Sequence, residues 1–316
     1  GASAAAASPG DAASGGGGGG GDETWELAAV LAQEVGEPHE CKDAPAELAE
    51  AYTAALEDEV FDSAEILGEG VAPKYKYTTE AAEAGDAVGP ALRKALMREA
   101  RSLQGGQLPL HPDAAIFVRQ DEGSMAVLRA VITGPVETPY ALGLFTFDIF
   151  CPPEYPSIAP LVHFCTTAGG TVKFNPNLYH DGKVCLSLIG TFNSGNSTEK
   201  WDPARSSIYQ VLMGIQNQIL EKYPIVNEPG YDGREDSKAS RELNAKLRLL
   251  TIRHAMVDQL KAPPAGLEGA VLAHFKTQRR RILRQCWAWT EEAPPELRGK
   301  MRAAVAQLHA VLPKAE

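Results

Sequence analysis

The chain has 316 residues, 44% of them hydrophobic and 22% charged, enough for one large domain or two ordinary ones with a buried core. No run approaches the ~18 consecutive apolar residues of a membrane span, and the small-residue start lacks the basic and apolar regions of a secretory signal, so neither is expected. The net charge of −11 is uneven: residues 1–90 hold 19 acids and 3 bases, and the other 226 hold 22 and 27, a balance that ranks nucleic-acid binding low. Five cysteines (Cys41, Cys151, Cys165, Cys185, Cys286) are odd in number and widely spaced, with no C-x-x-C. That argues against a disulfide scaffold and a four-ligand zinc site. No metal and no cofactor is expected, and reduced thiols point to the cytoplasm or the nucleus. A first residue Gly1 points to a chain that is processed, tagged or cut from something longer.

Residues 1–22, with seven glycines from Gly15 to Gly21, read as disordered low-complexity sequence. Residues 23–87 read as an acidic, partly helical extension. Leu48, Tyr52, Ala55 and Leu56 give a helical stripe within 23–60, with Asp43 or Pro45 as a start. Residues 61–87 read as loop with one short strand at Tyr75–Thr78. Pro90 opens an amphipathic helix, with Leu92, Leu96, Ala100 and Leu103 on one face and Lys94, Arg98 and Arg101 on another, ending near Gly105-Gly106. Four strands follow at Ala115–Gln120, Met125–Thr133, Leu142–Phe150 and Leu161–Cys165, in an antiparallel meander. Pro152, Pro153, Pro156 and Pro160 hold an extended loop. Residues 166–203 show no regular pattern, and so long an irregular segment is usually functional.

Past Trp201 the chain is helical. Ile208, Val211, Leu212, Ile215 and Ile219 form a core stripe, and helices follow around 236–260, 266–290 and 295–311, separated by Pro263-Pro264 and Pro294-Pro295. Arg279, Arg280, Arg281 and Arg284 read first as a solvated basic face and second as a site for phosphate or an acidic partner. Trp201 and Trp287 read as core, and Cys41, Cys151, Cys165 and Cys286 as inert packing thiols.

Cys185 follows the turn-like His180-Asp181-Gly182, eight residues after Asn177. A cysteine in an apolar run is most often a small buried hydrophobe. A cysteine performing acyl transfer needs a donor aimed at the developing oxyanion, which an asparagine amide can supply. A cysteine protease would need an imidazole, and nothing in the sequence pairs His163 or His180 with Cys185.

Several motifs occur in one order: Gly134-Pro135, Thr138-Pro139-Tyr140, Glu154-Tyr155-Pro156, Asn175-Pro176-Asn177, Gly182-Lys183-Val184-Cys185-Leu186 and Trp201-Asp202-Pro203-Ala204. The stretch from about Leu92 to Tyr231 resembles the catalytic domain of ubiquitin-conjugating (E2) enzymes. Val118-Arg119, Phe174 to Tyr179, Asp181 to Ser187, Thr198-Glu199-Lys200-Trp201 and Asn227 to Tyr231 are similar to the large hybrid members of that family, the giant inhibitor-of-apoptosis type and the large type that acts without a separate ligase.

The resemblance implies an α+β fold: an N-terminal helix, a four-stranded antiparallel meander, a long active-site segment, and C-terminal helices with a helical extension. It sets a catalytic core at 88–232 and the extension at 233–316. It implies that Cys185 accepts ubiquitin from an activating enzyme as a thioester and passes it to a substrate lysine. Asn177 then stabilises the oxyanion or holds the active-site loop. Glu228, with Asn227, orients or deprotonates the incoming lysine. Lys94, Arg98 and Arg101 dock on the activating enzyme; their bland alternative is an ordinary solvated helix face. The ligase-facing surface comprises Ser157, Trp201, Pro203 and Ala204.

Three departures stand out. Asn175 replaces the histidine of the family's His-Pro-Asn motif, and an asparagine can also hydrogen-bond locally. Sixteen residues separate Cys185 from Trp201, about twice the compact spacing, so Gly190–Lys200 should form a flexible flap. Ser157 stands where many relatives place a bulky apolar residue, which implies less dependence on a separate ligase. Rival readings are a binding module that keeps the fold without catalysis, and the same chemistry with a ubiquitin-like protein.

Overall fold

Period-two apolar runs put a sheet at the centre of the molecule. The structure, a computed structural model, describes residues 22–85, 89–192, 200–228, 230–231 and 233–314. The expectation of disorder for residues 1–22 therefore falls, but for Asp22, outside the described residues. Strands β3 (Ala114–Asp121), β4 (Val127–Thr133), β5 (Leu144–Phe150) and β6 (Leu161–Phe164) pair antiparallel in sequence order. Two further strands flank them. β1 (Phe61–Ala64) lies parallel to β3, with Phe61 opposite Val118, and β2 (Leu110–His111) pairs antiparallel with the start of β3. The sheet is thus mixed, in the order β1-β3-β4-β5-β6.

The sheet is covered on both faces, and β4 and β5 are buried along their whole length. Ile116, Val118, Ala130, Ile132, Phe145, Phe147 and Ile149 meet helices α4 (Pro90–Ser102) and α5 (Ile208–Gly214, continued by a wider turn to Ile219). Ala115, Phe117, Val131 and Leu144 meet α2 (Ala46–Leu56) and the C-terminal helices. Those helices are α6 (Lys238–Leu250), which runs through a wider turn into α7 (Asp258–Lys261), then α8 (Glu268–Thr277), α9 (Arg279–Glu292) and α10 (Pro295–Val311). Gly143 marks the closest approach, because a Cβ there would come within 2.8 Å of Thr251 Cγ2 and 2.9 Å of Ala255 Cβ. The extension is therefore part of the same core as the sheet.

α4 starts at Pro90, which has no N–H to leave unsatisfied in the first turn. It buries Leu92 and Leu96, and also a carboxylate, Glu99. Glu99 accepts from the Tyr155 hydroxyl at 2.8 Å and from the Ile208 amide at 3.0 Å. This one side chain ties α4 to the proline-rich loop and to the first turn of α5, and the pairing offsets its desolvation.

Several sequence expectations need correction. Residues 23–60 are two helices, α1 (Asp22–Val35) and α2, because Gly36 at φ +78° ends the first and Pro45 precedes the second. In α2, Tyr52 and Leu56 are buried, while Leu48 is half-buried and Ala55 exposed. No strand forms at Tyr75–Thr78. Tyr75 and Tyr77 instead bury their rings in the core beside the sheet, and α3 (Thr78–Ala84) follows. The helix expected over 266–290 breaks at Gln278, whose side chain turns away to donate to the Pro112 carbonyl at 2.5 Å. Trp201 and Trp287 are half-buried and pack against the two core clusters, while Trp289 is fully buried.

The arginine run is not a free basic face. Arg279 is 7% exposed and donates to Glu34 at 2.6 Å and to the Leu312 carbonyl at 2.8 Å. Arg281 donates to Asp113 at 2.5 Å and to the Lys42 carbonyl at 2.7 Å. Arg284 donates twice to the Val35 carbonyl, at 3.0 and 2.7 Å, at the open C-terminal end of α1. Only Arg280 of the four stays exposed. The acidic partners are the chain's own Glu34, in α1, and Asp113, between β2 and β3. No helix among the described residues is long and apolar enough to cross a membrane.

Candidate active site

The site is built on a small hairpin. Leu178 bridges Val184, and Lys183 bridges His163 at the end of β6. The Tyr179 amide donates to the Lys183 carbonyl at 3.0 Å, and the Cys185 amide donates to the Asn177 carbonyl at 2.9 Å. Gly182 makes the turn at φ +86°, where a Cβ would lie only 1.9 Å from the His163 ring. Glycine meets both demands, the left-handed backbone and the close approach.

Antiparallel pairing with period two puts Asn177, Tyr179, Lys183 and Cys185 on one face of this hairpin. Leu178 and Val184 point to the other and are 0% and 1% exposed. Their burial fixes the register, since a one-residue slip would bury the polar face. Cys185 is itself only 5% exposed.

Tyr179 is the site residue that the sequence reading missed. The neighbouring Cys185 side chain and burial push its phenol above the ordinary range, and Glu228 adds to the effect. The Lys173 ammonium lies 4.8 Å from the Tyr179 ring centroid and the Lys183 ammonium 5.6 Å, both in cation–π range. The available signal was the alternation Asn177-x-Tyr179 and Lys183-x-Cys185 about an Asp-Gly turn.

Asn175 braces the whole arrangement. Its buried amide donates to the Tyr140 hydroxyl at 3.0 Å and to the Ile219 carbonyl at 2.7 Å. Its oxygen accepts from the Asn177 amide at 2.8 Å and from Asn227 at 3.3 Å. Asn227 thus reaches the site from the short turn Pro224–Asn227 after α5. Glu228 is exposed and lies 3.9 Å from the Lys173 ammonium. Its neighbour Pro229 and residues 193–199 of the expected flap lie outside the described residues.

Neither histidine pairs with the cysteine. His163 sits beneath Gly182, edge-on to Tyr77 at 6.4 Å, and burial lowers its pKa. Burial pushes the thiols of Cys41, Cys151, Cys165 and Cys286 up, which suppresses their thiolates. Among the described residues, no group of three His, Cys, Asp or Glu is placed to hold a metal ion.

Away from the cysteine, Lys94, Arg98 and Arg101 are exposed along α4. With Arg93, Met97 and Pro156 they line one open groove. Ser157 is exposed, and the next residue, Ile158, is 47% exposed, so this loop does present an apolar side chain one position later than expected. Trp201 is half-buried, stacks near Tyr155 at 5.6 Å and donates its indole N–H to the Pro156 carbonyl at 2.7 Å. That bond holds the exposed Pro203 and Ala204 beside the 152–158 loop. The Ala204 amide donates to Asp202, which, with Arg205, lowers the Asp202 carboxyl pKa.

A family profile for the ubiquitin-conjugating enzyme matches residues 96–240. The matched stretch is a ubiquitin-conjugating enzyme domain. The human dual E2 ubiquitin-conjugating enzyme/E3 ubiquitin-protein ligase BIRC6 is 42% identical over 203 residues, covering 63% of this chain and 4% of that protein. The Caenorhabditis elegans probable ubiquitin-conjugating enzyme protein 17 is 41% identical over 208 residues, covering 64% of this chain and 28% of the relative. The Arabidopsis thaliana probable ubiquitin-conjugating enzyme E2 25 is 46% identical over 187 residues, covering 57% and 29%. The chain thus spans less than a third of the length of each of these relatives. In the conjugating domain, α4, the meander, the cysteine hairpin and α5 all fall largely within the match, and α6 begins at its end.

Proposed function

We propose that the chain is a ubiquitin-conjugating enzyme that carries ubiquitin on Cys185 and passes it to lysine. The observation that carries this reading is the hairpin: it sets Cys185 across from Asn177, with Tyr179 on the same face. In the first step the Cys185 thiolate attacks the thioester carbonyl of ubiquitin on its activating enzyme. The new C–S bond forms and the activating enzyme's thiolate leaves. In the second step a neutral lysine amine attacks the Cys185 thioester, a C–N bond forms, and the Cys185 thiolate leaves.

The roles follow from placement. Asn177 supplies an amide donor beside the reacting carbonyl. Glu228 accepts the proton of the incoming ammonium, with Asn227 holding the loop against Asn175. Tyr179 gives the acceptor an aromatic wall. Lys94, Arg98 and Arg101 are the docking face for the activating enzyme, and all three are exposed among the described residues.

We further propose hybrid behaviour, in which the chain modifies substrates with little need of a separate ligase. The dual name of the human relative supports it. Ser157, Trp201, Pro203 and Ala204 form the surface a ligase would use, and Ile158 supplies a modest apolar anchor there. The cytoplasm or nucleus is the proposed compartment, on the strength of four unpaired thiols besides Cys185, three of them buried and Cys165 half-buried.

Incubation with ubiquitin-activating enzyme, ATP and ubiquitin tests the reading. An adduct one ubiquitin heavier that reductant removes, and that Cys185→Ala lacks, is the expected result. Its absence from folded protein beside a working control would favour the binding-module reading or a different modifier.

A further inference from the structure

Residues 75–77 precede the stretch that the family profile matches, yet they pack against the strands beside the cysteine hairpin. The Tyr75 hydroxyl donates to the Ile149 carbonyl at 2.5 Å, and the Lys76 amide donates to the Asp148 carboxylate at 2.8 Å. These bonds pin the segment to β5, where Asp148 stands between Arg129 on β4 and His163 on β6. Tyr77 is buried; its ring stacks on Phe150 at 6.1 Å and meets the His163 ring edge-on at 6.4 Å. Burial and the Lys76 ammonium lower the His163 pKa, so the neutral ring dominates at pH 7. That ring lies against Gly182, where an added Cβ would come within 1.9 Å of it. The Phe164 amide donates to the Gly182 carbonyl at 2.8 Å, and His163 bridges Lys183. His163 therefore touches the segment and the hairpin turn at once, and Gly182 stands three residues before Cys185.

We propose that Tyr77 and His163 are positioning residues for the transfer step: Tyr77 holds the His163 ring against Gly182, and that contact keeps Cys185 across from Asn177. The proposal rests on the thioester reading above. Both residues act through the hairpin backbone and neither is a catalytic residue. A two-stranded hairpin this short is marginal on its own, so support from outside decides how rigid it is. Leu178 and Val184 supply that support on the buried face, and the His163 ring supplies it at the turn. Tyr77 in turn limits where the His163 ring can go, because the two rings and Phe150 fill one space beside the sheet. A small shift of the hairpin would misalign the thioester carbon with the Asn177 amide, and misplacement on that scale is costly to a positioned reaction. The segment before the conjugating domain thereby takes part in transfer. The Tyr77 contact is ring to ring, so phenylalanine should serve there as well as tyrosine.

Hydrogen exchange on the unloaded full chain tests the brace without ubiquitin. Tyr77→Leu keeps apolar bulk but not the ring, and His163→Ala removes the other partner. Each should speed exchange of the Tyr179 and Cys185 amides by about tenfold while the amides of β4 and β5 keep the parent's rates. Tyr77→Phe should match the parent. Loading is scored next, as the reductant-sensitive adduct; if the parent forms none, the thioester reading fails and the role in transfer falls with it, whatever the exchange shows. In loaded chains each single variant should lower the maximal rate of discharge to free lysine by about tenfold, with the KM for lysine unchanged. The double variant should lose no more than either single one, because the two residues act through one contact. Three results would each overturn the proposal: parent-like exchange at Tyr179 and Cys185 in either variant, exchange that rises equally across the whole sheet, or a double variant that loses the product of the single losses.

Discussion

The amide of Cys185 donates to the carbonyl of Asn177 at 2.9 Å, so the bond that sets the two residues opposite each other is a backbone bond. The Asn177 side chain is left free of that structural duty. Asn177→Ala is therefore expected to keep the hairpin and the loading step. Loss of an oxyanion donor should slow discharge to lysine by about a hundredfold to a thousandfold. Single-turnover loading and discharge, measured separately, check this; equal loss in both would assign the residue to loop structure.

Asn175 behaves differently because its side chain carries the bracing. It bonds Tyr140, Ile219 and the Asn177 amide from a buried position. Asn175→Ala leaves those groups unpaired and is expected to cost about 2–4 kcal/mol of folding stability. It should impair loading and discharge together. Urea unfolding, paired with both kinetic steps, distinguishes this outcome from that of Asn177→Ala.

Glu228 is exposed, so its contribution is moderate. Glu228→Gln is expected to slow lysine discharge by about tenfold, below the hundredfold or more of a well-buried general base, and to leave hydroxylamine discharge unaltered. Rates with the two nucleophiles over pH 6 to 9 provide the check.

The sheet's second face holds a pH-sensitive bond. His274 is fully buried, with Nδ1 2.8 Å from the Tyr52 hydroxyl and Nε2 3.1 Å from the Leu142 carbonyl. A neutral ring satisfies both, accepting from tyrosine at Nδ1 and donating to the carbonyl from Nε2. Burial lowers its pKa to about 4, with Arg281 adding to the effect. The unfolded histidine takes up a proton as pH falls through about 6.5, whereas the folded one resists until about 4. The stability this residue contributes is therefore full above pH 6.5 and declines toward pH 4, by about 3 kcal/mol in all. Denaturant midpoints at pH 7.5 and 4.5 should fall less steeply in His274→Gln than in the parent chain.

Arg279 and Glu34 fasten α1 to α9. The bonded arginine and the neighbouring His309 hold the Glu34 carboxyl below its ordinary range, against the opposing effect of burial. Arg279→Ala is expected to cost about 2 kcal/mol, less than a fully buried pair because Glu34 is partly exposed. It should make residues 22–45 the first site of limited proteolysis.

The meander, the basic helix, the α5 stripe and the cysteine segment were legible in the sequence. Period-two alternation in Phe145, Phe147 and Ile149, and the spacing of Leu92 and Leu96, report burial directly. β1 was not legible, because Phe-Asp-Ser-Ala is short and half polar and forms only against β3. The arginine run misled for a related reason. Composition records charge, but the partners Glu34 and Asp113 lie 245 and 168 residues away. Tyr179 shows its role only when the hairpin register puts it on the face of Cys185.

The most direct test of the central claim is loading of the Cys185→Ser variant. A serine at this position should take ubiquitin as an oxygen ester that survives thiol reductant and breaks in mild alkali, with the remnant mapped to residue 185. A parent chain that forms a reductant-sensitive adduct, alongside a variant that forms this stable one, is the result the account requires. Reductant-sensitive loading that persists in Cys185→Ser would place the thioester on another cysteine and contradict it.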